Sequence, residues 1–171
     1  AAARKVVEQV ATKPLDGWMQ AAVKTAGDRL AGRVEEEIDE HPAPQAPAHL
    51  SAADQQRYLA GHAIYFRDGH CGTCHQADGK GLPSAGFPPL DESYWVTGSE
   101  ERLIKLTLHG LMGPFELKGV KYPGQVPMTP FGGLLNDKEI ADVLTYVRNS
   151  FGNKAAPVTP ESVAKVRKAT G

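Results

Sequence analysis

Residues 71–75 read Cys71-Gly72-Thr73-Cys74-His75, and they hold both cysteines of the chain. Two thiols three residues apart on a tight turn can reach the two vinyl groups along one side of a porphyrin. The histidine that follows can turn under the ring and offer a nitrogen to the iron. Cys-x-x-Cys-His is the attachment pattern of a c-type haem. Two other chemistries use the same residue types. A dithiol redox pair wants a surrounding βαβ pattern, whereas this sequence alternates helix-like segments with Gly- and Pro-rich loops. A zinc site could draw on His70, Cys71, Cys74 and His75, but such close neighbours rarely close a tetrahedron, and no second ligand pair lies downstream.

Helix signals flank the motif. Ser51 with Asp54 three residues on predicts a capped helix whose apolar face holds Leu59, Ala63, Ile64 and Phe66, ended by Gly69. Leu103, Ile104, Leu106, Thr107 and Leu111 predict a helix from Glu100 to Leu111. Asn136 or Asp137 caps a last helix with Ile140, Val143, Leu144, Val147 and Phe151 on its buried side. A small hairpin around Lys118-Gly119 fits residues 112–128. These elements define a main unit over residues 51–152.

Residues 1–40 read as a helical extension. Val6, Val7 and Val10 share one face of a first segment that Pro14 ends, and Asp16 can cap a second. Trp18, Met19, Ala22, Val23, Ala26, Leu30, Val34 and Ile38 then form a long apolar stripe, which needs a partner surface. The acidic cluster Glu35, Glu36, Glu37, Asp39 and Glu40 reads first as a solvated helix end and second as a docking patch. Residues 41–50, with Pro42, Pro44 and Pro47, predict a stiff linker. Residues 153–171 form a short basic tail that either packs as a helix from Pro160 or frays. The opening Ala1-Ala2-Ala3-Arg4 has no initiator Met, which fits a removed leader or a piece of a longer chain.

The whole chain has 171 residues, 41% of them hydrophobic and 23% charged, with a net charge of −1. That is a globular composition large enough for a real core. The charge balance argues against a nucleic-acid or polybasic membrane role. No run of eighteen apolar residues is present to span a bilayer.

With Cys71, Cys74 and His75 in place, residues 51–152 resemble a class I cytochrome c. Gly61, Tyr65 and Tyr146 match the family's glycine and aromatics where its first and last helices cross. The spacing from Tyr65 to Cys71 is longer than the compact family pattern. The resemblance implies an all-α bundle around one covalent haem c. It also implies that Pro88, in Phe87-Pro88-Pro89-Leu90, offers its carbonyl to the second ring nitrogen of His75, with Leu90 packing on the porphyrin. Gly79, Gly81 and Gly86 would let backbone lie close to the ring.

The opposite face of the iron has five candidate ligands by residue type: Met112, Met128, His62, His70 and His109. The family places its axial methionine on a Pro/Gly loop before the last helix, which implies Met128 in Val126-Pro127-Met128-Thr129-Pro130; the intervening Thr129 departs from the usual Met-Pro. Met112 reads as core, His62 as a helix-surface residue, and His70 as too close to the motif to cross the ring. Among Tyr94, Trp95, Arg102, Lys118 and Tyr122, the favoured propionate donors are Trp95 and Arg102.

The segments His109–Phe115 and Lys118–Gly124 resemble the insertion of cytochrome domains fused to or partnered with bacterial dehydrogenases. Helices over 1–40 would then be the end of a larger domain. Single-electron transfer follows, with His75 and Met128 filling both axial positions. The partners expected are a dehydrogenase upstream and a cytochrome or oxidase downstream, with a periplasmic location. A haem enzyme or gas sensor with an open axial position is the competing expectation, and a docking module built on residues 1–40 is a third.

Overall fold

The computed structural model describes residues 2–12, 17–30 and 41–171, which fall into two compact units, 1–40 and 41–171. In the first unit, α1 (Ala2–Ala11) packs on α2 (Gly17–Leu30). Val7 and Val10 are half-buried, but Val6 is exposed. On α2, Val23 and Ala26 are half-buried while Met19 and Ala22 are exposed. Pro14, Asp16, Val34, Ile38 and the acidic cluster lie outside the described residues.

In the second unit, the Ser51 hydroxyl accepts from the Asp54 amide at 3.2 Å and opens α3 (Ala52–Tyr65). The helix ends at Tyr65, four residues before Gly69, because Phe66 leaves helical geometry and its N–H turns back to His62 and Ile64 carbonyls. The buried face also differs from the sequence expectation. Leu59 and Ala63 are exposed, and Tyr58, Gly61, His62, Ile64 and Tyr65 are buried. Bulky rings on this face meet a helix far along the chain, so His62 is no surface residue: its ring lies 5.3 Å from Tyr146 and 4.7 Å from Phe66.

That partner helix is α7 (Asp137–Arg148), buried along nearly its whole length. Asn136 accepts from the Glu139 amide at 3.0 Å while Glu139 accepts from the Asn136 amide at 3.0 Å, a complete capping box. Asn136→Ala is expected to lower stability by about 1 kcal/mol, read as a shift in the urea midpoint at constant slope. Phe151 lies beyond the helix end at φ 57, where it covers Gly79.

The crossing of α3 and α7 is the centre of the bundle. A Cβ on Gly61 would overlap the Asp142 carbonyl and sit 2.8 Å from Tyr146 Cβ. Glycine is therefore what lets the two backbones touch. Tyr58, Tyr65 and Tyr146 close around the joint with ring separations of 5.0–5.3 Å.

Between these helices come α4 (Cys71–His75), a 3₁₀ turn at 83–85, α5 (Tyr94–Thr97) and α6 (Glu100–His109). Gly110, at φ 74, stops α6 and leaves Leu111 outside it. A two-stranded hairpin, β1 (Phe115–Leu117) and β2 (Val120–Tyr122), turns at Lys118-Gly119, both at positive φ. This is the turn geometry that a two-residue hairpin connection favours.

The stretches read as linker and tail both pack on this unit. Leu50 is buried and Ala46 lies against the core. α8 (Pro160–Thr170) docks on α6 and α7 through buried Val163 and Val166. No described helix is long and apolar enough to cross a membrane.

Candidate functional site

One turn of helix sets the chemistry. In α4, Cys71 and Cys74 stand three apart and His75 one further, so all three side chains emerge on one side. The turn packs closely against the end of α3: a Cβ on Gly72 would lie 3.1 Å from the Tyr65 carbonyl and 3.2 Å from its ring, a tight but small encroachment. Tyr65 closes the far end, donating its hydroxyl to the Gln76 carbonyl at 2.7 Å. Burial, reinforced by neighbouring Cys71, pushes the Tyr65 phenol well above its ordinary range, so it stays a neutral donor.

His75 is buried, and its Nδ1 donates to the Pro88 carbonyl at 2.8 Å. That bond fixes the ring and leaves Nε2 as the nitrogen that can ligate a metal. Burial lowers the His75 pKa, partly opposed by the Pro88 bond, which favours the neutral imidazole that metals require. The Pro88 carbonyl is held in place by local backbone. Leu82 and Phe87 pair across a tight loop, Gly81 donates to the His75 carbonyl at 2.9 Å, and Leu90 donates to Gly79 at 2.7 Å. A Cβ on Gly81 would reach both Phe87 and Pro88 carbonyls at 2.5 Å. Gly79 makes room for the Phe151 ring, which a Cβ there would overlap.

Cys71, Cys74, His75, Pro88 and Met128 line one cleft. Met128 enters from the opposite loop, its N–H donating to the Leu111 carbonyl at 2.9 Å. Among the other candidate ligands, His70 also lines the cleft. Met112 is 83% exposed, His109 sits 2.7 Å from Thr170 Oγ1, and His62 is enclosed at the helix crossing.

Leu90, Trp95 and Arg102 do not line the cleft. Leu90 packs against the core. Trp95 stands behind Phe115, a lining residue, with ring centroids 5.4 Å apart. The Arg102 guanidinium lies over Trp95 at 5.5 Å and donates to the Tyr94 carbonyl at 3.2 Å.

Sequence reading missed the apolar walls: Phe87, Leu111, Phe115, Val126 and Phe131. They sit in loops and a short strand, where no 3.6-residue period marks them. Their one visible signal is that Pro- and Gly-rich loops carry so many large apolar side chains.

The donor set fits a covalent haem. The walls are apolar, two thiols and an imidazole belong to one turn, and Met128 lines the same cleft from another segment. Tyr122, stacked on Phe115 at 4.7 Å, has a buried hydroxyl with no partner among the described residues. Tyr122 itself is not among the residues that line the cleft. A dithiol redox pair fits worse. Burial pushes the Cys71 thiol up to about 11, with Cys74 raising it and a backbone hydrogen bond opposing the shift, whereas redox cysteines are activated by a lowered pKa. Among the described residues, no three His, Cys, Asp or Glu side chains are grouped so that they could hold a metal ion.

Fold and cleft together define a class I cytochrome c domain. A family model described as cytochrome c matches residues 58–151, and the chain belongs to that family, whose members carry covalent haem c and transfer electrons. It is 39% identical over 123 residues to a cytochrome c-552 of Thermus thermophilus, covering 64% of this chain and 80% of that one. It is 36% identical over 104 residues to a gluconate 2-dehydrogenase cytochrome c subunit of Pantoea cypripedii, covering 57% of this chain and 22% of that subunit. It is also 32% identical over 122 residues to an alcohol dehydrogenase (quinone) cytochrome c subunit of Gluconacetobacter polyoxogenes, covering 70% of this chain and 25% of that subunit.

Proposed function

We propose that this chain holds one haem through thioethers at Cys71 and Cys74, with His75 and Met128 as axial ligands. In this reading it takes single electrons from a periplasmic dehydrogenase and passes them to a cytochrome or oxidase. The observation that carries the reading is the shared cleft: His75 and Met128 line it from separate segments, beside both cysteines. When bound, the haem supplies a ferric/ferrous couple. The chain's own part is to keep everything else out. Pro88 orients His75 through Nδ1. Two backbone bonds with Leu111, at 2.9 and 3.3 Å, hold Met128 in place. Apolar walls exclude water, which raises the cost of charge and tunes the potential. Trp95 and Arg102, stacked behind Phe115, are assigned the outer, propionate side. The dehydrogenase-subunit relatives support an upstream dehydrogenase.

Met128→Ala tests the ligand set. The native ferric protein is expected to show the weak near-infrared sulfur-to-iron band, and the ferrous protein to resist carbon monoxide at neutral pH. The variant should lose the band, bind carbon monoxide and drop in potential by on the order of 0.1–0.3 V, a fraction of the range that axial ligands span. A native protein that lacks the band and binds carbon monoxide readily would favour the open-site enzyme or sensor instead.

A further inference from the structure

We infer that Arg167, on the C-terminal helix α8, is a positioning residue for Met128, an inference that rests on the axial-ligand reading above. Its guanidinium donates from all three nitrogens. Nη1 reaches the Gly132 carbonyl, Nη2 reaches the Leu135 carbonyl at 3.0 Å, and Nε reaches Asp137 Oδ1 at 2.6 Å. These three acceptors run from the end of the Met128 loop into the first residue of α7. Gly132 is gripped from both sides, because its own N–H donates to the Leu108 carbonyl at 3.0 Å. One residue earlier, the Phe131 N–H donates to Thr107 at 2.9 Å, and the Phe131 side chain lines the cleft.

The loop is therefore fixed at two ends. Near Met128 the anchor is backbone pairing with Leu111; four residues on, it is Arg167. The three acceptors are met by three separate nitrogens of one rigid plane, a spread that the single nitrogen of a lysine does not reproduce. Removing the fork frees two carbonyls for water, and water rewards an outward swing of the loop. The state in which the sulfur has left its place becomes more populated. Helix α8 thus reaches the axial position without touching it.

The readout is the affinity of the ferric holoprotein for imidazole, which must displace the Met128 sulfur to bind. Arg167→Ala and Arg167→Lys are each expected to raise that affinity about tenfold, equivalent to about 1.4 kcal/mol. Val163→Ala, which cuts into the buried face of the same helix, should lower the melting temperature yet leave imidazole affinity within about twofold of native. Unchanged affinity in both Arg167 variants, with the sulfur-to-iron band present in the native protein, overturns the inference. So does an equal rise in Val163→Ala, because general loosening of α8 would then suffice. Native affinity in Arg167→Lys overturns the fork argument. A native protein without the band removes the ligand reading itself, which is a separate failure.

Discussion

The Cys71→Ser/Cys74→Ser double variant is expected to carry no covalently held haem at all. Serine keeps the size and turn of α4 but has no thiol to add across a vinyl group. The denatured variant should run without haem staining and should weigh as the bare polypeptide, while the native protein should stain and resist thiol alkylation. The single variants should each keep one linkage. The loss is total because Cys71 and Cys74 are the chain's two cysteines, so no thiol is left to add across a vinyl group. The variant chain should still fold locally, since Ser51, Asn136 and the Gly61 joint lie elsewhere. Haem-stained double variant, or a native protein whose two thiols both alkylate, would defeat the assignment.

The second large effect is at Gly61. Alanine normally gains about 1 kcal/mol over glycine inside a helix. Here the added methyl meets the Asp142 carbonyl, which belongs to the backbone of a buried helix and cannot rotate away. Overpacking a tight interface costs about 1–3 kcal/mol and occasionally more, and an immovable obstacle puts this site at the upper end. Gly61→Ala is expected to lose about 2 kcal/mol net, a fall of roughly 8 °C in melting temperature, and Gly61→Val more. Gly133→Ala is the control: nothing lies within 4 Å of its Cβ and its φ is unremarkable, so it should stay within about 0.5 kcal/mol of native. Equal stability of Gly61→Ala and native would mean that the two helices do not touch there.

Much of this was legible in the sequence because it depends on local chemistry. The Cys-x-x-Cys-His turn, the Ser51 cap, the Asn136 box and the Lys118-Gly119 hairpin each announce themselves within five residues. What failed needed long-range knowledge. Leu59 and Ala63 look like a core face, yet α3 buries its aromatic side because α7 crosses there. The room that Gly79 makes is filled by Phe151, from beyond α7, a partner that no local pattern names. The apolar loop residues had no period to betray them, because what they enclose is not protein. Arg167 read as part of a basic tail, since nothing in its neighbours tells which carbonyls it will find.

The joint between α3 and α7 also bears on how quickly the chain can fold. Tyr58 and Ser150, hydrogen-bonded at 3.0 Å across it, stand 92 residues apart in the chain. Contacts of that span require a large loop to be closed against its entropy, which slows folding. The glycine that lets the bundle shut so tightly therefore leaves loop closure, more than the forming of either helix, as the slow part of reaching the native state.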